Sequence, residues 1–338
     1  MGKTNRLGLL MAFGVGAFIA SRLVRKANPY TFKDKVVVIT GGSRGLGLLL
    51  ARELASQGAH IAICARDKDE LLRARQELER LSAEVFAAPC DITDRTQVIK
   101  MIRSVREYFG RIDVLINNAG TIQVGPYNVM TIEDYEEAMN IHYWGPLYTI
   151  LATLPHMRER GEGRIVNISS IGGKISVPHL LPYSASKFAL VGLSEGLRSE
   201  LKKEGIIVTT VCPGLMRTGS PKNISTKGQH EKEYTWFKVA DSLPISSMNA
   251  TLAAKKIIEA CRQGDAELIL TFSAKLASAV HGLFPGFTTD LFAGVNRLLP
   301  DAGEQGSIQR KKGEESETFI SSSFIAGLTD EAAERNNE

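Results

Sequence analysis

Seven short runs of branched aliphatic residues recur along the chain, and helix-like patterns separate most of them. Such runs are typical of strands buried on both faces, and their alternation with helices predicts a parallel sheet. The sequence therefore predicts an α/β fold, a doubly wound, seven-stranded parallel sheet with helices on both faces. The predicted strands span residues 36–40, 61–65, 85–88, 114–117, 165–169, 207–212 and 268–271. The predicted helices span residues 46–56, 68–82, 97–109, 143–160, 184–203 and 249–263.

The pattern divides the 338 residues into one large domain with appendages. Residues 29–275 carry the alternation, and a single α/β domain can reach this size. Residues 1–28 are predicted to be an N-terminal apolar helix and linker, residues 276–300 an apolar C-terminal extension, and residues 301–338 a polar tail.

Residues 7–20 form an unbroken run of apolar residues and glycines with Lys and Arg on both sides. As a helix this run is about 21 Å long, short of the roughly 30 Å hydrocarbon core of a bilayer unless residues 21–24 extend it. We expect an uncleaved membrane anchor with the main domain in the cytoplasm. A cleaved signal peptide is disfavoured because no A-x-A site follows the run. A helix docked on the body or on a partner subunit, in a soluble cytoplasmic protein, is the other alternative.

The two C-terminal segments depart from the alternating pattern. Residues 276–300 are apolar but are interrupted by Pro285, Asp290 and Arg297, which favours a flap over the main domain, with a membrane-surface helix as the alternative. Residues 301–338 are rich in acidic residues, Gly, Ser and Asn and contain few large apolar side chains. This composition predicts a disordered tail.

Charge and metal-ligand spacing exclude two classes of function. The net charge is only +4, without a dense basic stripe that would neutralise a run of phosphates, so nucleic acid is not an expected partner. The four cysteines are far apart and lie in or beside apolar runs, and the histidines show no metal-ligand spacing. We expect reduced, packed thiols and no metal site.

A glycine-rich turn follows the first predicted strand and opens the first predicted helix. Gly41 permits a tight turn, Gly45 allows close approach of a pyrophosphate, and Gly47 allows close packing of the helix. The helix N-terminus adds unpaired N–H groups and the positive end of the helix dipole. The TGxxxGxG spacing differs from the GxGxxG dinucleotide fingerprint, so the turn alone indicates a phosphate site only weakly.

Tyr183 and Lys187 form a YxxxK motif at the head of a predicted helix, and residues four apart share one helix face. A nearby ammonium group favours the phenolate and makes a tyrosine a better acid-base group at neutral pH. Ser170 follows the fifth strand, where its hydroxyl could hold a substrate oxygen. Residues 117–120 (Asn-Asn-Ala-Gly) after the fourth strand and 213–214 (Pro-Gly) after the sixth complete the set.

With these motifs, residues 31–271 resemble the short-chain dehydrogenase/reductase family in its single-domain form. The resemblance implies a Rossmann-like fold, a nicotinamide cofactor and an oxidoreductase that acts on alcohol or carbonyl groups. The positions that match the family pattern are Thr40, Gly41, Ser43, Arg44, Gly45, Leu46, Gly47, Asp91, Asn117, Asn118, Ala119, Gly120, Asn140, Ser170, Tyr183, Lys187, Pro213, Gly214 and Thr218.

The resemblance also implies catalytic roles. Tyr183 would be the general acid-base, and Ser170 would orient the carbonyl or hydroxyl group. Lys187 would bind the nicotinamide ribose and lower the pKa of Tyr183, while Asn140 would anchor a proton-relay water.

Cofactor-binding roles follow from the same resemblance. Asp91 would touch the adenine, Asn118 and Ala119 would line the adenine-ribose side, and Thr218 would hold the carboxamide.

The residues after the second strand predict which cofactor binds. An acidic residue there binds the ribose 2′-hydroxyl of NAD, whereas an arginine accommodates the 2′-phosphate of NADP. Here Arg66 follows the strand, and Arg44 in the glycine turn can converge on the same phosphate. Asp67 is better explained as a helix cap, with Glu70 three residues later completing a capping box. The sequence thus predicts NADP(H), and carbonyl reduction by family resemblance.

Three further features have more than one interpretation. His142 is predicted to be a packed helix residue, and His179 a possible contact to substrate. Residues 234–237 hold three aromatic side chains, which form either a lid over the substrate or part of a subunit interface.

The sequence predicts a membrane-tethered, NADPH-dependent carbonyl reductase for a lipophilic ketone or alcohol of steroid, retinoid, sphingoid or acyl-chain type. One alternative is NAD-linked alcohol oxidation by the same fold, and another is an NADP-binding regulatory scaffold without turnover. Family resemblance also implies a homodimer or homotetramer, formed through helices that include residues 140–160 and 184–203.

Overall fold

The computed structural model of the protein describes residues 29–81, 83–242, 247–303, 308–316 and 335–337. The predicted anchor at residues 7–20 lies outside this described part. Within the described ranges, no helix combines the length and the apolar character needed to cross a bilayer.

The described residues form twelve strands, most of them very short outside the central sheet. They are β1 (Val36–Thr40), β2 (His60–Ala65), β3 (Val85–Pro89), β4 (Val114–Asn117), β5 (Gln123–Val124), β6 (Gly163–Ile168), β7 (Ile206–Cys212), β8 (Leu215–Arg217), β9 (Ser225–Thr226), β10 (Ser247–Asn249), β11 (Glu267–Ile269) and β12 (Lys311–Lys312). Seven of them form one parallel sheet in the order β11-β7-β6-β4-β1-β2-β3. This confirms the predicted Rossmann-like, doubly wound architecture.

Helices cover both faces of this sheet. They are α1 (Gly45–Ser56), α2 (Lys68–Arg80), α3 (Arg95–Phe109), α4 (Ile132–Met139), α5 (Gly145–Arg160), α6 (Leu181–Leu201), α7 (His230–Ser242), α8 (Ala250–Gln263), α9 (Phe272–Leu283) and α10 (Pro285–Asn296). Strand β1 shows how the core is divided, because Val37 and Ile39 pack with α1, α2 and α8, whereas Val36 and Val38 pack with α3 and α5. Alternate side chains of a strand point to opposite faces, so one strand contributes to both cores.

Residues 276–300, predicted to be a flap, belong to the helical hairpin α9–α10. The two helices contact each other more than any other element. The hairpin and its flanks expose the apolar side chains of Phe272, Leu276, Leu283, Phe284, Phe287, Leu291 and Leu298. The hairpin thus presents an apolar surface outward.

Two described stretches of the polar tail contact the domain. Strand β12 pairs antiparallel with β9. Just before it, Arg310 bonds to the buried Asp134 at 2.9 Å. The other stretch, residues 335–337, lies against the glycine-rich turn that follows β1. The composition of the tail gives no indication of these two contacts, because ion pairs and hydrogen bonds to residues far along the chain hold both stretches in place.

Candidate active site

The predicted motifs meet at the edge of the sheet where its parallel strands end, called here the carboxyl edge. The glycine turn, residues 41–47, follows β1, and residues 117–120 end β4 and begin its loop. Ser170 follows β6, and Pro213 follows β7. Ligands of open α/β sheets bind at this edge, close to the point where the strand order reverses.

The glycine turn packs tightly against the loop after β4. Gly41 has a φ of 63°, and a Cβ added there would lie 2.9 Å from the Cα of Ala119. A Cβ at Gly47 would lie 2.0 Å from the Gly41 carbonyl oxygen. The side-chain amide of Asn118 donates to the carbonyl oxygens of Thr40 and Gly41, both at 3.1 Å. The backbone spacing therefore leaves no room for side chains at these glycines.

The N-terminus of α1 fits the phosphates of a dinucleotide. Its N-cap residue, Arg44, makes no side-chain hydrogen bond to the helix amides, and the first turn holds no acidic residue. Amides without a side-chain cap, at the positive end of the helix dipole, favour an anion. Leu46 follows Gly45 in this first turn. The described residues thus supply a cradle for a nicotinamide dinucleotide.

The C-terminal residues 335–337 lie on this cradle. The carbonyl oxygen of Asn336 accepts a hydrogen bond from the Gly45 N–H at 2.9 Å. The Asn336 side chain donates to the carbonyl oxygen of Thr218 at 3.1 Å, and that of Asn337 donates to the carbonyl oxygen of Ser43 at 2.8 Å. These residues therefore join the glycine turn to the loop after β8.

Charged residues surround the place predicted for the 2′-phosphate. Arg44 forms an ion pair with Glu70 at 2.8 Å, and Ser43 donates to the same carboxylate at 3.1 Å. The side chain of Arg66, directly after β2, is exposed. Asp67 accepts hydrogen bonds from two α2 amides, which confirms its interpretation as a helix cap. Glu70 was predicted to close a capping box, but its carboxylate reaches the glycine turn.

Tyr183, Ser170 and Lys187 come together as predicted. Tyr183 lies in the first turn of α6 and bonds to Ser170 at the end of β6. The Lys187 Nζ lies 5.7 Å from the centroid of the Tyr183 ring and donates to the carbonyl oxygen of Ile168 at 2.9 Å. The spacing of the YxxxK motif on one helix face accounts for this arrangement.

Burial dominates the ionisation of this group. It raises the pKa of Tyr183 to about 12, although the hydrogen bond with Ser170 acts in the opposite direction. Burial also lowers the pKa of Lys187 to about 7. The phenol is therefore protonated at neutral pH in these surroundings, whereas the family resemblance implied that Lys187 lowers the pKa of Tyr183.

Asn140 and His142 differ sharply in exposure. Both Asn140 and His142 lie on a π-helical stretch, Asn140–Trp144, between α4 and α5. Asn140 is exposed, whereas His142 is 1% exposed and its ring meets the Tyr183 ring edge-on at 5.3 Å. The structure thus places His142, and not Asn140, beside the tyrosine.

Asn117 belongs to a buried polar network. Its side-chain amide donates to Asn167 at 2.8 Å and its carbonyl oxygen accepts from Thr149 at 2.6 Å. Asn167 in turn donates to Ser194 at 2.7 Å. Buried polar groups need such partners, so Asn117 ties β4 to β6, α5 and α6.

The other predicted positions lie at the same edge. Asp91 follows β3 and accepts two hydrogen bonds from Thr93. The Pro213 carbonyl oxygen accepts from the Ile171 N–H at 2.7 Å, and Thr218 is buried. Gly120 follows β4 and Gly214 follows β7.

An apolar cluster packs against Tyr183. Its buried members are Val124, Leu180, Ile224, Tyr234 and Phe237. Tyr183 and Trp236 pack against them. Helix α7 therefore lies over the tyrosine within one chain, which favours the lid interpretation of the aromatic residues.

Buried hydrogen bonds fix α7 to the loop before Tyr183. His179 lies 2.9 Å from Glu233, and the indole N–H of Trp236 donates to the same carboxylate at 2.7 Å. Both His179 and Glu233 are buried. The side chain of His179, predicted as a possible substrate contact, is thus committed to holding α7.

Comparison with known proteins agrees with this geometry. The family model described as short chain dehydrogenase matches residues 35–229. The 3-ketodihydrosphingosine reductase of Mus musculus is 35% identical over 229 residues, which cover 64% of this chain and 69% of that protein. The L-sorbose reductase of Gluconobacter frateurii, solved with NADPH and L-sorbose, has a TM-score of 0.63 at 27% identity, covering 71% of this chain and 96% of that one. A short chain dehydrogenase/reductase of Burkholderia phymatum in complex with NAD shares the fold, with a TM-score of 0.71 at 24% identity over 77% of this chain and 96% of that one.

The fold and the dinucleotide cradle define an oxidoreductase that uses a nicotinamide cofactor. The chain belongs to the short-chain dehydrogenase/reductase family.

Proposed function

We propose that this protein is an NADPH-dependent carbonyl reductase for lipophilic ketones and the corresponding alcohols. The observation that carries the proposal is the group formed by Tyr183, Ser170 and Lys187, which lies at the carboxyl edge next to the glycine turn. A proton donor, a hydroxyl that can hold an oxygen and a buried cation are the groups that carbonyl reduction requires.

Each of these side chains has a defined task in reduction. When bound, the nicotinamide supplies the hydride that is added to the carbonyl carbon. Tyr183, whose phenol is protonated at neutral pH, donates that proton to the carbonyl oxygen. Ser170 holds the same oxygen, and Lys187 is placed to bind the ribose and to stabilise the phenolate that proton transfer leaves.

NADP(H) is the proposed cofactor because two arginines flank the expected 2′-phosphate position. Arg66 is exposed after β2, and Arg44 lies in the glycine turn. Replacing Arg66 with Asp should shift the preference from NADP(H) towards NAD(H), as measured by the ratio of kcat/KM for the two cofactors. The control is Arg103→Asp on α3, which changes the net charge by the same amount as Arg66→Asp. An unchanged preference in Arg66→Asp would refute this assignment.

NAD-linked alcohol oxidation remains the second candidate because of Glu70. Its carboxylate lies within hydrogen-bonding distance of Ser43 and Arg44, where an acid would disfavour a phosphate and suit a ribose hydroxyl. Glu70→Gln separates the two candidates. An NADP(H) enzyme should bind its cofactor more tightly in this variant, whereas an NAD(H) enzyme should bind it less tightly.

Three observations support a lipophilic substrate. The apolar cluster under α7 packs directly against Tyr183. The helical hairpin α9–α10 exposes large apolar side chains, which are typical of contact with a lipid or another apolar surface. The relative from Mus musculus is named for a long-chain ketone substrate.

The test is NADPH oxidation by the purified protein against ketones of graded chain length. Turnover should rise with chain length and disappear in Tyr183→Phe. Tyr127→Phe is the matched control, because Tyr127 is 75% exposed and its replacement should leave the rate unchanged. Better turnover of short, water-soluble ketones would refute the lipophilic assignment. Cofactor binding without turnover of any ketone would instead favour the regulatory scaffold.

Membrane attachment and oligomer formation are parts of the same proposal. Residues 7–20 would tether the domain on the cytoplasmic side, and removal of residues 1–28 should release the protein from membranes in a flotation assay. A homodimer or homotetramer would bury Trp144, Leu151 and Phe188, which are 41%, 53% and 41% exposed next to or on α5 and α6. Light scattering should give twice or four times the monomer mass, and Leu151→Glu should lower it.

A further inference from the structure

His142 lies beside Tyr183, two residues after Asn140, which the family resemblance assigned to a proton-relay water. It is buried against the tyrosine ring, and its two ring nitrogens have separate partners. The Nε2 atom accepts a hydrogen bond from the Thr121 N–H at 3.2 Å, and Nδ1 lies 2.8 Å from the Ser186 hydroxyl oxygen. The imidazole thus connects the loop after β4 to the helix that carries the tyrosine.

These contacts fix one tautomer of the ring. Because Nε2 accepts from a backbone N–H, it carries no proton. Ser186 donates its only hydroxyl proton to the carbonyl oxygen of Tyr183 at 2.8 Å, so it must accept a hydrogen bond from His142 Nδ1. Two independent hydrogen bonds therefore require the same species, a neutral imidazole protonated at Nδ1.

The surroundings also favour the neutral ring. Burial and the nearby Lys187 hold the pKa of His142 well below its usual range. A Cβ built on Gly120 would lie 3.1 Å from His142 Nε2 and 3.7 Å from Lys187 Nζ, so the two groups approach the same spot. The other charged groups that face the ring are those of Asp134, Glu137 and Arg310, across a small cavity that Tyr183 also lines. A neutral imidazole avoids a second positive charge beside Lys187.

We propose that His142 is a positioning residue for Tyr183, acting through Ser186 and through the edge of its own ring. Its hydrogen bond to Ser186 fixes the first turn of α6, and the ring fixes the orientation of the phenol. It does not carry the proton, because both of its nitrogens are already engaged. This inference rests on the proposed function, since the phenol must be aimed at a carbonyl oxygen to donate to it.

The test compares three variants at this contact. His142→Leu keeps the apolar volume but removes both hydrogen bonds, and kcat should fall by about tenfold to 100-fold while the KM for NADPH changes by less than about twofold. His142→Asn places an N–H donor where Nδ1 was and should recover most of the lost kcat. Ser186→Ala removes the same link from the other side and should reproduce the loss.

Controls separate positioning from a general structural effect. His156 lies on α5 beside Glu159, and His156→Leu should leave kcat unchanged. The proposal would be overturned by a wild-type kcat in His142→Leu, or by a kcat in His142→Asn that is no higher than the kcat of His142→Leu. A loss of kcat in Asn140→Ala that exceeds the loss in His142→Leu would also overturn it.

A second measurement does not depend on turnover. Nitrogen NMR of labelled histidine, assigned with His142→Asn, should show His142 still neutral and protonated at Nδ1 at pH values below the ordinary imidazole pKa of 6.5. A ring that titrates near its ordinary pKa, or that is protonated at Nε2, would overturn the proposal even if no substrate is found. Absence of turnover in the wild-type protein, with the predicted tautomer present, would count against the proposed function and not against this geometry.

Discussion

Replacing Gly47 with alanine tests how closely the glycine turn packs against α1. The added Cβ would lie 2.0 Å from the Gly41 carbonyl oxygen and 2.6 Å from the Asn118 Nδ2. A backbone carbonyl cannot rotate away as a side chain can, so the helix must move away from the turn. Overpacking of this kind costs about 1 to 3 kcal/mol.

Helix propensity acts in the opposite direction at the same residue. Alanine is favoured over glycine inside a helix by about 1 kcal/mol. The free energy of unfolding of Gly47→Ala should therefore fall by up to about 2 kcal/mol, which lowers Tm by up to roughly 4 °C in a domain of this size. Gly192 in α6 is the matched control, because a Cβ there meets no atom within 4 Å. Gly192→Ala should raise Tm through propensity alone.

The assay combines calorimetry with titration of the cofactor. A shift of α1 moves the amides that are placed to bind the pyrophosphate, so Gly47→Ala should weaken NADPH binding by at least about tenfold. Gly192→Ala should leave the Kd unchanged. Wild-type Tm and Kd values in Gly47→Ala would refute the reasoning, because they would mean that the turn can absorb a methyl group.

Three further predictions concern charge and the C-terminal residues. Because burial lowers the pKa of Lys187 from 10.5 to about 7, the unfolded chain binds more protons than the folded protein between these pH values. The unfolding free energy of the wild-type protein should therefore rise with pH, relative to that of Lys187→Met, by roughly 1 kcal/mol per pH unit. Urea unfolding that shows the same pH dependence in both proteins would contradict this. Asp134→Ala should cost about 3 to 5 kcal/mol of unfolding free energy because it leaves the buried Lys227 without its carboxylate, 2.6 Å away, and a loss below about 1 kcal/mol would contradict it. Deletion of residues 335–338 frees the Gly45 N–H and should lower the Kd for NADPH, measured by fluorescence titration, by about threefold to tenfold. Weaker binding after the deletion would contradict this, because it would show that these residues support the cofactor.

The strands and the main motifs could be predicted because local sequence determines them. Strand β1 is fully buried, and its run of Val and Ile is typical of a strand that is covered on both faces. Tyr183 and Lys187 share a helix face because their spacing equals about one helical turn. Ser170 could be predicted because it follows a strand of the sheet closely, at the carboxyl edge.

Other parts of the site depend on contacts that local sequence does not encode. Asn140 and His142 lie on a π-helical stretch, where the extra residue per turn changes which side chain faces the site. Glu70 fits a capping-box pattern, yet Arg44 and Ser43 attract its carboxylate more strongly than the helix end does. A polar composition gave no indication that Asn336 is 5% exposed, because its partners lie far along the chain.

The position of residues 335–337 has a consequence for how the protein is prepared. A segment attached directly after Asn337 would begin next to Ser43 and Gly45, because Asn337 donates to the Ser43 carbonyl oxygen and the Asn336 carbonyl oxygen accepts from the Gly45 N–H. A carboxyl-terminal histidine tag would bring a cluster of imidazoles to the mouth of the dinucleotide cradle. Kinetic constants from tagged and untagged preparations are therefore not interchangeable, and a cleavable tag is the appropriate choice for cofactor titrations.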